Sequence, residues 1–220
     1  FNGKGALVHS SEEGAWGSVE DMLVHGKFGD AGKHTVIQER LPDGEGGEMS
    51  LHALCGARTA LLFPRSFDYK RDKRGKMTGG TGGYSIGGVD DELVALARKI
   101  FTPWLYGCHS LGIEYTGVLY PGLMLTKEGP KCIEMNARLG DPEAQLYLTR
   151  LENDFLELID ASLSGTLGTL RLRWKYPASL CVALMNRNYP DTSEGNNEPI
   201  HGLAEAARYP PCPASGTAGA

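Results

Sequence analysis

Apolar positions along the chain fall into short blocks, and their period separates strands from helices. Residues 117–125, Gly-Val-Leu-Tyr-Pro-Gly-Leu-Met-Leu, form an apolar run that reads as a buried strand. Residues 127–130 follow as a turn and residues 131–135 as a second strand, so the two form a hairpin. The β-branched start of residues 35–41 predicts another strand, as does the apolar run 178–185, and a strand-like stretch opens after Gly5. The helical period appears three times. Ser11 can cap a helix reaching about Val24, with Trp16, Val19, Met22 and Leu23 at helical spacing, although Gly14 and Gly17 weaken it. Residues 90–101 begin with acids and end with bases, matching a helix dipole, and Leu93, Leu96, Ala97 and Ile100 supply the buried stripe. Residues 142–158 read mainly as helix with Glu143 at its favoured end. Leu146, Leu148, Leu151, Phe155, Leu156 and Ile159 are its core candidates, and Glu152, Asp154 and Glu157 its solvated face. Residues 174–177 read as a linker, and the proline-rich 209–217 as a loop or disordered tail.

Composition narrows the class. The 220 residues suffice for one large domain or two small ones, and 41% hydrophobic with 22% charged residues is the balance of an ordinary globular protein. No apolar run reaches the ~18 residues of a membrane span. A net charge of -5 argues against nucleic acid as a partner, because no basic stripe exists to displace counterions. The cluster at residues 70–76 is short and broken by Asp72; it reads either as a solvated loop or as an anion-binding one. Five scattered cysteines without a CxxC pair fit reduced thiols of a cytoplasmic enzyme, with Cys55, Cys132 and Cys181 expected in the core.

Candidate chemistry concentrates in residues 133–143, Ile-Glu-Met-Asn-Ala-Arg-Leu-Gly-Asp-Pro-Glu. Strand alternation puts Glu134 and Asn136 on one face. One carboxylate and one amide oxygen two residues apart can hold a hard cation such as Mg2+, which keeps company with nucleotide phosphates. The other reading of the pair is a polar strand face toward water. A Gly-Lys-Gly turn at Lys4 lets backbone N–H groups approach phosphate, or is a chance turn.

Residues 115–120 and 134–145 closely resemble the phosphoribosylamine–glycine ligase family of ATP-grasp carboxylate–amine ligases. Further stretches extend the likeness from Gly3 to about Ala206. Residues 67–71 resemble a Gln-Asp-His-Lys-Arg loop, matching at Asp68, Lys70 and Arg71. Residues 78–85 resemble a Thr-Gly-Gly-Met-Gly-Ala-Tyr-Ser segment. The resemblance implies an α+β ATP-grasp fold: a small lid (residues 1–50) over a mostly antiparallel core sheet with flanking helices (residues 51–168). Residues 169–220 would then be a linker and the start of a carboxy-terminal domain, with the chain short at both ends.

The same resemblance implies ATP and Mg2+ (or Mn2+), with glycine and 5-phosphoribosylamine as substrates of a monomeric enzyme. Glu134 and Asn136 would hold the metal. Lys4, the hinge residues Gln38, Glu39 and Leu41, and Glu48 (or, less favoured, Glu45) would hold the nucleotide, Gln38 standing where the family usually has Glu. Arg138 and Asp141 would be catalytic; Asp68, Lys70, Arg71, Gly79 and Gly80 would face the substrates, with Gln145 as a further lining residue. Met77 and Thr81 depart from the family pattern and motivate one rival, an ATP-grasp ligase with other substrates. The apparently missing amino-terminal part motivates a second, a non-catalytic nucleotide-binding fragment.

Overall fold

The computed structural model describes residues 6–41, 47–56, 59–76, 78–185, 189, 199–206 and 208. Lys4, Glu45, Met77 and residues 209–217 lie outside them.

The expected hairpin organises the sheet. Gly117–Thr126 (β6) pairs with Gly129–Asn136 (β7) on one side. On its other side lie Glu48–Ser50 (β1) and Ala53–Gly56 (β2), which are one extended run broken at Leu51 and His52. Glu48 stands opposite Met124 and Cys55 opposite Gly117, seven residues on in one strand and seven back in the other. Thr59–Leu62 (β3) pairs with β2 and Ser66–Asp68 (β4) with β1; Gly82–Ile86 (β5) and then Ala178–Val182 (β8) extend the sheet from β4. Every pairing among these eight strands is antiparallel.

Alternation gives the sheet two different faces. Met49, Leu51, Ala53, Cys55, Leu119 and Leu123 point to one face and are covered by Leu93, Ala97 and Phe101 of helix Asp91–Ser110 (α2). Leu54 and Phe63 point to the other. There Tyr147 of Glu143–Arg150 (α3), Leu158 and Ala161 of Phe155–Leu163 (α4), and Leu167 of a 3-10 turn close a second core. Arg150 is 1% exposed and has no carboxylate partner among the described ion pairs. Its guanidinium instead donates to the carbonyls of Gly87, Tyr176 and Pro177 and to Ser85 Oγ, and lies 5.5 Å over the Trp174 ring.

The structure departs from the expected elements in several places. The first helix, Glu12–Leu23 (α1), is capped by Ser11 as expected, but buries no residue and leaves Trp16 59% exposed. Residues 35–41 form no strand, and Val36 and Ile37 are exposed; β-branching favours a strand only where a ladder and a packed face exist to use it. Residues 6–8 are likewise not a strand. The second helix runs past Pro103 to Ser110, because Trp104 and Leu105 continue its apolar stripe onto the core. The single helix expected over residues 142–158 is two. Asp154 caps α4 through Leu156 N–H, and Asn153 is drawn aside to Arg171 and Arg173, which leaves Leu148 and Leu156 exposed. Cys132 is exposed rather than in the core, at the register shift that interrupts the hairpin opposite Gly122 and Leu123. Strand β8 lies within the stretch read as linker and further domain, and pairs along its length with β5.

Leu119, fully buried in the central strand, and Trp16 should respond in opposite ways to truncation. Leu119→Ala is expected to cost about 2–5 kcal/mol in urea unfolding, and Trp16→Ala to stay within about 0.5 kcal/mol.

Candidate active site

The face of the sheet that turns toward α3 changes from apolar to polar along the strands. Period 2 through Glu48, Ser50, His52 and Leu54 puts one acid, one hydroxyl and one imidazole on the same face as a core leucine. Directly paired residues share a face, so Ser66 and Asp68 join from β4, and Tyr120, Gly122, Glu134 and Asn136 from the hairpin. Glu134 and Asn136 meet as alternation predicts: the Asn136 amide donates to Glu134 Oε1 at 3.0 Å. Gly122 opposite Glu134 leaves open the space a side chain would fill, since a Cβ there would lie 3.4 Å from Glu134 Cγ.

The residues after Asn136 fold back over this face and enter α3 through a cis Asp141-Pro142 peptide. Glu143, only 1% exposed, accepts hydrogen bonds on Oε1 from Ser50 Oγ at 2.6 Å and Tyr120 OH at 2.9 Å. Its carboxylate occupies the space where a Cβ at residue 140 would stand, so only glycine fits there. His52 is fully buried between the Tyr120 ring, stacked at 3.9 Å, and Tyr147, and burial drives its pKa down to about 3, with help from Arg138 and Lys70. Sequence reasoning missed Ser50, His52, Ser66 and Tyr147 as site-supporting residues.

Asp68 and Lys70 form an ion pair at 3.2 Å, the Asp68 side chain being 2% exposed and that of Lys70 26%. Asp68 Oδ1 has no hydrogen-bond partner among the described residues, and burial pushes this carboxyl up to about 6 against the opposing pull of Lys70. Glu143 and Glu48 raise it further; burial pulls the Lys70 ammonium down, but Asp68, then Glu143 and Glu48, outweigh it and raise it, so the lysine sits among three carboxylates. Gly80 closes the space beside this pair: a Cβ there would fall 2.8 Å from the Asp141 carbonyl and 3.3 Å from Asp68 Oδ1. Gly79 N–H donates to Tyr189 OH at 2.9 Å. Gly82 and Gly83 serve the sheet instead, each admitting a neighbouring strand's carbonyl where a side chain would collide.

The predicted site residues therefore divide. Glu48, Asp68, Lys70, Gly80, Glu134, Asn136 and Asp141 are linked by the contacts above. Gln145 Nε2 donates to Asp141 Oδ1 at 2.7 Å, which adds the expected lining residue; its Oε1 is buried without a described partner. Arg138 is exposed and donates to Leu139 O at 3.0 Å. Arg71 is exposed, its guanidinium donating to Gly75 O within its own loop, and Thr81 Oγ1 donates to Tyr69 O. Gln38 and Glu39 are exposed and Leu41 half-buried; the Glu39 charge adds to the larger effect of Glu128 in raising the Lys131 ammonium. No cluster of three or more His, Cys, Asp or Glu suited to a metal occurs among the described residues. A two-oxygen site suits Mg2+, which keeps most of its shell as water and phosphate.

Residues 1–144 match the family described as Phosphoribosylglycinamide synthetase, ATP-grasp (A) domain. Phosphoribosylamine–glycine ligase of Mesorhizobium japonicum is 38% identical over 210 residues, covering 93% of this chain and 48% of the relative. That of Caulobacter vibrioides is 41% identical over 195 residues, covering 86% and 45%. The chain thus spans about half the length of the curated relatives it matches. Among solved structures, phosphoribosylamine–glycine ligase of Thermotoga maritima superposes with a TM-score of 0.70 at 30% identity, over 86% of this chain and 48% of that one.

Asp68 carries a pH dependence whose sign follows from burial. The folded chain keeps its proton up to about 6 whereas the ordinary value is 3.8, so Asp68 disfavours folding progressively as pH rises through that window. Carbon-detected NMR of the Asp68 carboxyl is expected to show a midpoint near 6; a midpoint near 3.8 would remove the burial argument.

Proposed function

Because the chain belongs to the phosphoribosylglycinamide synthetase ATP-grasp (A) domain family, we propose that it carries the nucleotide and substrate chemistry of a ligase joining glycine to 5-phosphoribosylamine. The product would be glycinamide ribonucleotide, made in cytoplasmic purine biosynthesis by a monomer. The observation that carries the proposal is the convergence, on one sheet face, of the Glu134–Asn136 pair, the Asp68–Lys70 pair and the loop bearing Arg138 and Asp141.

A carboxylate is a poor electrophile at neutral pH. ATP therefore first phosphorylates the glycine carboxylate, giving glycyl phosphate and ADP, and the phosphoribosylamine nitrogen then attacks that carbonyl and expels phosphate. The protein's share is positioning and charge. Glu134 and Asn136 would hold Mg2+ (or Mn2+), which neutralises phosphate charge when bound. Lys4 would meet phosphate; backbone groups at Gln38, Glu39 and Leu41 would read the adenine edge, and Glu48 would grip the nucleotide. Arg138 would stabilise the transferring phosphoryl group or the substrate carboxylate, and Asp141 would orient the amine. Asp68, Lys70 and Arg71, with Gly79 and Gly80, would line the substrate side. A rival substrate pair rests on the Met77 and Thr81 departures; the Thr81 hydroxyl donates to Tyr69 O inside its own loop and keeps its acceptor capacity.

Two measurements test the proposal. ADP release with Mg-ATP, glycine and freshly generated phosphoribosylamine should require all three; release that ignores glycine would exclude this substrate pair. Glu134→Gln should weaken Mg2+-dependent ATP binding in calorimetry by about tenfold or more, the scale of one lost charged ligand. Unchanged Mg2+ dependence would sink the metal assignment.

A further inference from the structure

We infer that His52 is a positioning residue for residues 137–141, holding through the Gly140 amide the loop that carries Arg138 and Asp141. Its functional consequence rests on the ligase reading above; its geometry does not.

The argument begins with donors and acceptors. Gly140 N–H donates to His52 Nε2 at 3.3 Å. A nitrogen that accepts carries no proton, so in the neutral ring the proton sits on Nδ1, and it points at Tyr147 OH, 3.1 Å away. Tyr147 OH then donates to Ser66 Oγ at 2.6 Å, and Ser66 Oγ to the Ser50 carbonyl at 3.4 Å. Each group has one role, and the direction of the chain is set from end to end. Burial supports it by keeping the imidazole neutral at every working pH.

What this chain of bonds holds is specific. Among the described residues, the other hydrogen bonds of residues 137–141 are local: Arg138 to Leu139 O, Ala144 N–H to Gly140 O, and Gln145 to Asp141. Gly140 to His52 is the bond that ties the loop to the sheet. Glu143 bars any side chain at residue 140, so the loop position there is registered by its backbone alone. Tyr120, stacked on His52, also pairs in the ladder with Asn136. One imidazole therefore fixes the loop with respect to the strand bearing the proposed metal pair.

The test uses the full chain in native, H52L and H52Q forms; glutamine can return an acceptor near the Nε2 position. Nitrogen-15 NMR of the native ring should show the Nδ1–H tautomer. H52L should speed exchange of the Gly140 amide by about tenfold or more, the size of one lost hydrogen bond, while the sheet amides stay protected and H52Q stays near native. In the ligase assay, H52L should raise the glycine KM by about tenfold with the ATP KM within about twofold, and H52Q should recover most of the loss. The Nε2–H tautomer, or unchanged Gly140 exchange in H52L, would overturn the inference. So would parallel rises in both KM values with no rescue by H52Q, the pattern of general damage. If H52L does not fold, the native tautomer and Gly140 exchange in H52Q decide. If the native chain lacks turnover, the ligase reading fails by itself and the NMR results still stand for the geometry.

Discussion

A carboxylate with almost no contact with water is the constraint around which the site end of the fold is arranged. Burying Glu143 would cost several kcal/mol if its oxygens were left bare. Two hydroxyls, from Ser50 and Tyr120, offset that cost on one oxygen. Meeting them requires β1 and β6 to lie side by side in one register, which the antiparallel ladder supplies. It also requires the start of α3 to be pressed onto the sheet, which excludes a side chain at Gly140 and bends residues 137–142 over the polar face. The charge in turn acts on Lys70 and Asp68. Helix docking, loop shape and local potential thus trace to the same group.

The two faces of the sheet show how one set of strands can both hold a core and carry chemistry. On the α2 face alternation runs unbroken through Met49, Leu51, Ala53 and Cys55. On the opposite face the same strands begin polar and end apolar, so the site and the second core share backbone. Rigidity at the polar end therefore comes from packing a few residues further along, a support that catalytic geometry in general requires.

Much of this was legible beforehand where one period dominated. The hairpin, the shared face of Glu134 and Asn136, the Ser11 cap and the α2 stripe follow from spacing alone. Family membership follows from motif resemblance, which spacing could not have supplied. Local competition defeated the rest. Asp154 and Asn153 offer side-chain bonds that break a helix whose apolar pattern runs straight through them. Residues 35–41 have strand propensity without a ladder among the described residues. The apolar run around Cys132 suggested burial, but the residue lies at the register shift of the hairpin and is exposed. His52 was readable in principle, since period 2 from Glu48 reaches it, but a lone histidine in an apolar run gives no sign of which amide it will meet.

Arg150 brings folding order into view. Its guanidinium can shed water only when carbonyls from distant parts of the chain are already assembled: Gly87 lies 63 residues before it, and Tyr176 and Pro177 lie 26 and 27 after. Until then a cation inside α3 opposes burial of its own helix. The residue therefore acts as a checkpoint in assembly: it penalises partly built states in which α3 has docked while the edge strand has not. Strand β8, at the edge of the sheet among the described residues and with Leu180 and Val182 exposed, is the element whose loosening would offer an open ladder to other chains.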